Sequence, residues 1–330
     1  MIDRDGKRYT FGLAGLIWLV LAAGPFSQTS GSGEELKVSL KQDLVKRINR
    51  DRAGFGLRPV EFDPPASVTA DAYCERQIRE GTTGHYSLDG HAPYARYSQG
   101  GGNDGVSENA AAWSANYSFP ESSIPDLISK SQEVMLQEKP PHDGHRRTIL
   151  DPAATHVGIG LAWKNGEFRM TEEFLRRYVE WDDALPRSAS IGERVVCRGK
   201  PVAGYRIVAA SVHREDFPQP ISALVANQID MYSLPPTRRD FLPQQRNLSD
   251  RATQLARYVA SHPGTPGDLV LQKDGSFSFV APFYDGPGLY TVVLWVRPMS
   301  GGSPISASNI SIRVDHPSLA AAGGTALAAR

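Results

Sequence analysis

Val157-Gly158-Ile159-Gly160-Leu161-Ala162-Trp163-Lys164-Asn165-Gly166-Glu167-Phe168-Arg169-Met170-Thr171-Glu172-Glu173-Phe174-Leu175 is the stretch that decides the fold. Val157, Ile159 and Leu161 alternate with Gly158, Gly160 and Ala162, which is the two-residue period of a strand. Asn165-Gly166 then marks a tight hairpin turn, because both residues tolerate positive φ. Phe168 to Leu175 is the returning strand.

Upstream of this hairpin the period is that of helices. Leu40, Leu44, Val45 and Ile48 fall at helical spacing from Val38 onward, and Gly54 and Gly56 end the helix. Pro64-Pro65 precede a second helix, capped by Ser67 or Thr69 and running towards Glu80 with Ala70, Tyr73, Cys74 and Ile78 on its apolar side. Gly81 to Gly105 reads as a loop and Glu108 to Trp113 as a short helical segment. Ser122 to Gln137 is a further helix, with Ile124, Leu127, Ile128, Met135 and Leu136 apolar. Helices first and a hairpin last predict an α+β arrangement, helices packed on an antiparallel sheet.

Downstream the pattern is all-β. The chain turns polar around Trp181 to Ser190, where Pro186 marks a domain boundary. Arg194 to Val196, Tyr205 to His213, Asp268 to Gln272, Ser276 to Val280, Leu289 to Arg297 and Asn309 to Val314 are strands, with turns at Asp274-Gly275 and Asp285-Gly286-Pro287-Gly288. Short strands between turns predict an immunoglobulin-like or fibronectin-like sandwich. Leu234 to His262 interrupts it, with room for a short helix.

The 330 residues carry no formal net charge, which argues against a nucleic-acid partner, since such a protein needs a basic face. Lys7 and Arg8 precede an apolar run from Phe11 to Ala23, followed by small and polar residues. This is the pattern of a secretory signal peptide, with an uncleaved anchor the alternative. It implies a secreted, periplasmic or cell-envelope protein that meets a membrane only through this segment. Cys74 and Cys197 are the two cysteines, and an exported chain allows them to pair or to stay as buried thiols. Asn116-Tyr117-Ser118, Asn247-Leu248-Ser249 and Asn309-Ile310-Ser311 match the glycosylation pattern.

Chemistry concentrates in the first domain, in Gly84-His85-Tyr86-Ser87, Ser107-Glu108-Asn109-Ala110, Met135-Leu136-Gln137-Glu138 and Gly144-His145-Arg146. Two imidazoles and two carboxylates suit a divalent metal. His142, His91 and His156 read as solvated histidines, and Tyr86 and Asn109 as neighbours able to orient the others by hydrogen bonds.

The order Arg52-Ala53-Gly54-Phe55-Gly56-Leu57-Arg58-Pro59-Val60, Gly84-His85, Glu108-Asn109, Gly144-His145-Arg146, Ile149-Leu150-Asp151-Pro152 and Val157-Gly158-Ile159-Gly160 resembles the bacterial branch of the CAP superfamily. These are the cysteine-rich secretory, antigen 5 and pathogenesis-related-1 proteins, also known by their SCP-like domain. The resemblance implies an α-β-α sandwich with a shallow cavity lined by two His and two Glu. Carried over by motif, these are His85, Glu108, His145 and Glu138, with Glu133 the rival for the second acid. The family's usual Trp near Met135 is missing here. The chain then divides into a signal peptide (1–24), a linker (25–37), a CAP-like domain (38–183), a β-sandwich (190–315) and a disordered tail (316–330). The resemblance implies a binding module in which His85 and His145 hold a divalent metal, zinc foremost, together with an extracellular or envelope ligand. The alternative is a metal-dependent, peptidase-like hydrolase using the same cleft, because one scaffold hosts several functions.

Overall fold

The computed structural model describes residues 30–243 and 264–317. The apolar N-terminal run, Asn247, residues 244–262 of the interrupting segment and the tail beyond 317 lie outside the described residues. The chain forms two compact units. Among the described residues, the first takes those up to Arg177 together with Gln219–Ser233 and Ala307–Asn309, and the second takes the rest.

In the first unit the order is α1 (Ser30–Gly54), β1 (Glu61–Phe62), α2 (Pro64–Glu80), α3 (Pro93–Gln99), β2 (Gly105–Ser114), α4 (Ile124–Gln137), α5 (Gly144–Ile149), β3 (His156–Lys164) and β4 (Glu167–Arg176). The strands form one sheet in the order β1-β3-β4-β2, with β1 parallel to β3 and the other pairs antiparallel. β3 and β4 are the hairpin read from the sequence, and Asn165 and Gly166 turn it at φ 52° and 76°.

The alternation along β3 explains the two layers around the sheet. Gly158 and Gly160 face α2, where a Cβ would fall 2.5 Å from the Ala66 methyl and 2.3 Å from the Ala70 carbonyl carbon. Small residues on both surfaces let helix and sheet approach closely. Val157, Ile159 and Leu161 face the other way, into a core shared with Leu44 and Ile48 of α1, Ile124 and Met135 of α4, and Ile149 of α5. Helices therefore cover both faces of the sheet.

Several local expectations change. α1 already starts at Ser30, inside the stretch read as a linker. Glu108 to Trp113 is strand, not helix: the Ala-rich run favours a helix by propensity, but all of β2 pairs with β4, from Gly105↔Arg176 to Ser114↔Glu167. Ala111 and Trp113 enter the core from it. The cap of α2 is Asp63, whose carboxylate accepts from the Ala66 N–H at 2.7 Å, and Pro64 and Pro65 sit inside the first turn, where a missing N–H costs nothing. The 81–105 loop contains α3, which starts on Pro93.

The second unit is all-β: β5 (Val179–Trp181), β6 (Ser188–Ser190), β7 (Arg194–Pro201), β8 (Tyr205–Glu215), β9 (Arg238–Pro243), β10 (Gly264–Leu271), β11 (Phe277–Pro282), β12 (Gly288–Pro298), β13 (Ile305–Ser306) and β14 (Ile310–Asp315). Val195 and Cys197 of β7 and Phe277, Phe279 and Ala281 of β11 point inward at alternate positions, as strands with one buried face require. β12 is buried along most of its length between β8 and β14. β10 pairs with β11 on one side and with β9 on the other, with a register shift between Pro266 and Leu269, so it links the two halves of the strand path. Cys74 and Cys197 are free thiols, each buried in its own unit.

Candidate functional site

The four residues singled out in the sequence come together at the β2 edge of the first unit's sheet. His85 leaves the loop after α2, Glu108 lies on β2, Glu138 ends α4 and His145 opens α5. His85 Nδ1 lies 2.9 Å from Glu108 Oε1, and His145 Nδ1 lies 2.5 Å from Glu138 Oε1. The imidazole centroids are 6.5 Å apart.

Each pair is held differently. Glu108 is completely buried as a side chain, and its second oxygen accepts from Arg96 at 2.6 Å. An ionised carboxylate is acceptor-only, so in this contact His85 donates through Nδ1. Arg96 also donates to the carbonyls of His85 and His91, and its guanidinium lies over the Tyr73 ring at 3.5 Å. Burial alone would lower the Arg96 pKa, and the charges of Glu108, Tyr73 and Glu173 together with the Glu108 hydrogen bond more than offset it, so Arg96 is held above its usual value. Tyr73 Oη and Gln77 Nε2 both donate to the Gly84 carbonyl at 2.8 Å, which fixes the loop that carries His85.

Glu138 is braced by backbone. Its Oε2 accepts from the His145 N–H at 2.9 Å and lies 3.4 Å from that of Arg146, so one carboxylate satisfies both the imidazole and the start of α5. Glu133 is exposed on α4 and accepts from Gln137 instead. Asn109 joins the halves: its amide donates to the His145 carbonyl at 3.3 Å and to Glu172 at 3.0 Å. His142 is exposed, His91 pairs with Asp89 and His156 with Glu61.

β4 places a buried acid beneath each half. Burial pushes the Glu173 carboxyl up to about 8, helped by the nearby Glu108 charge and opposed by Arg96. Burial pushes Glu172 up to about 7, against the pull of Asn109 and His145.

Residues 45–170 match the family model of the cysteine-rich secretory proteins, CAP. This stretch is a CAP domain. Among solved structures the chain is similar to an extracellular protein containing an SCP domain from Bacillus anthracis (18% identity, TM-score 0.34, covering 47% of this chain and 45% of that one). It is also similar to an outer surface protein of Borrelia burgdorferi (17% identity, TM-score 0.33, covering 42% and 93%) and to a cysteine-rich secretory protein from Staphylococcus aureus (14% identity, TM-score 0.29, covering 42% and 39%). The chain thus spans under half the length of the first and third. Among curated protein sequences nothing matches it.

Around the two His–Glu pairs, sequence reading missed Arg96 and Tyr232. Arg96 follows Pro93 by three residues, and Pro at a helix start was the available signal for α3. Tyr232 packs edge-on against His85, with ring centroids 5.0 Å apart, and its hydroxyl accepts from the Glu108 N–H at 2.5 Å. It lies 124 residues beyond Glu108, and no local pattern marks it. No described helix is long and apolar enough to cross a membrane.

Proposed function

We propose that this is an exported protein whose CAP domain is a binding module, holding a divalent cation, zinc foremost, between His85 and His145, and with it an extracellular or cell-envelope ligand. The observation that carries the reading is the matched pair of imidazoles, each with Nδ1 engaged by a carboxylate. A carboxylate on the far nitrogen fixes the tautomer and makes the other nitrogen a better ligand.

The fit can be tested against bond lengths. With Zn–N bonds of ~2.0–2.1 Å and a tetrahedral angle, two ligating imidazole centroids sit about 5 Å apart. The rings here stand 6.5 Å apart, wider than that spacing, so holding one ion between them would require the two rings to close inward. Catalytic zinc usually takes three protein ligands and keeps an open position. Glu108 and Glu138 are engaged on Nδ1, and among the described residues no cluster of three His, Cys, Asp or Glu is placed to hold an ion. That donor set favours holding a ligand over hydrolysis, in which a carboxylate would have to leave its imidazole.

Calorimetric titration with zinc should show one site in the native chain, lost in the His85→Ala/His145→Ala double variant. Equal binding by the two proteins would overturn the cation site. Export rests on Lys7, Arg8 and the Phe11 to Ala23 run. Mass spectrometry of protein from its native host should show loss of roughly the first 15–30 residues, and an intact N-terminus on soluble cytoplasmic protein would remove the export reading.

A further inference from the structure

We infer that Tyr232 is a positioning residue of the His85–Glu108 pair, delivered to the cleft by a strap formed by Gln219–Ser233. In sequence the strap lies between β8 and β9, yet it belongs to the same compact unit as the CAP domain. It contains one short helix, α6 (Ala223–Ala226), capped by the Ser222 side chain.

The strap runs along the 81–91 loop and is fastened at several points. The Ile221 N–H donates to the Leu88 carbonyl at 2.9 Å. Asn227 accepts from the Thr83 N–H at 2.8 Å and donates to the Gly81 carbonyl at 3.0 Å. Two glycines make room for it. A Cβ at Gly84 would lie 3.1 Å from the Ala226 carbonyl oxygen, and one at Gly90 would lie 2.4 Å from that of Gln219. Gly84 has no positive φ, so the space taken by the strap is what favours a glycine beside His85.

At its end the strap solves a problem of the sheet. β2 is an edge strand, and the N–H groups of Val106 and Glu108 point away from β4, on the unpaired side. Edge donors of this kind need partners. Asn309 Oδ1 accepts from the Val106 N–H at 2.9 Å, and Tyr232 Oη accepts from that of Glu108. Tyr232 therefore fixes the backbone of one member of the pair and packs its ring edge against the other. Burial raises the phenol pKa above its ordinary value, so the group stays neutral and keeps its own proton.

The test uses the full chain with Tyr232→Phe, Tyr232→Ala and Asn227→Ala. Tyr232→Phe keeps the ring and removes the acceptor, so Glu108 amide exchange should quicken about fivefold or more. Tyr232→Ala should also turn the single Nδ1–H tautomer of His85, read from imidazole nitrogen shifts, into a mixture, and should weaken zinc binding about tenfold or more. Asn227→Ala loosens the strap away from the cleft and should change the His85 shifts less than Tyr232→Ala does. The proposal is overturned if Tyr232→Phe leaves Glu108 exchange unchanged, or if Tyr232→Ala leaves the His85 shifts native. The zinc arm rests on the cation reading above. A native chain that binds no zinc while its His85 shifts respond to Tyr232→Ala would remove that reading and leave the positioning role standing.

Discussion

The two His–Glu pairs of the first unit contain the same chemistry, an imidazole against a carboxylate, built in opposite ways. His85 and Glu108 are 23 residues apart, on a loop and a strand, and their side chains are 9% and 0% exposed. His145 and Glu138 are seven residues apart, at the ends of neighbouring helices, and are 23% and 15% exposed. The first pair needs a buried arginine, an edge strand and a strap to exist. The second needs only a short connection and two backbone N–H groups. A local pair is cheap to assemble and easy to perturb without consequence, whereas a long-range pair is tied into the stability of everything that brings it together.

That contrast should be clearest in Glu108→Ala. Removing the carboxylate leaves Arg96 buried without its main counter-charge, and breaking a buried pair in this way costs about 3–5 kcal/mol. Thermal or denaturant unfolding should show it, and a loss under 1 kcal/mol would mean that the two halves do not differ as described. The smaller effect belongs to Glu138→Ala, which removes a carboxylate from partly exposed N–H groups and should cost about 0.5–2 kcal/mol, as for a lost helix cap. Glu133→Ala, at the exposed rival position, should stay within about 0.5 kcal/mol.

The response to pH sharpens the comparison from beneath. Glu173 under the first pair and Glu172 under the second both have raised pKa values, of about 8 and about 7 from an ordinary 4.5. Raised carboxyls favour the folded state when neutral, so their contribution is complete below pH 4.5 and is lost as pH rises through 7 and then 8. Glu173→Gln should remove the part of this decline that extends to pH 8, and Glu172→Gln the part that ends near pH 7. Unfolding curves from pH 5 to 9 measure both, and a Glu173→Gln protein as sensitive as the native chain between pH 7 and 9 would contradict the assignment.

Legibility in the sequence follows the same division. The β3–β4 hairpin and α4 rest on period and turn chemistry within a few residues, and they were readable. The ordered motifs singled out His85, Glu108, His145 and Glu138, which the fold brings into two hydrogen-bonded pairs, while Glu133 is exposed on α4. β2 was misread because Ala110-Ala111-Ala112 favours a helix locally, and only its ladder to β4 makes it a strand. Arg96 sat unnoticed in a stretch read as loop.

The sequence by itself determined the layers of the first unit, the all-β character of the second and the residue types of the cleft, because each is encoded by side-chain period or by neighbours along the chain. The tertiary structure decided how His85 and Glu108 are braced. Arg96, Tyr232 and Asn309 reach that edge of the sheet only when distant segments close onto it. Hydrogen bonds across such separations leave no period in the sequence. They form because a buried carboxylate and unpaired strand N–H groups must find partners wherever the folded chain supplies them.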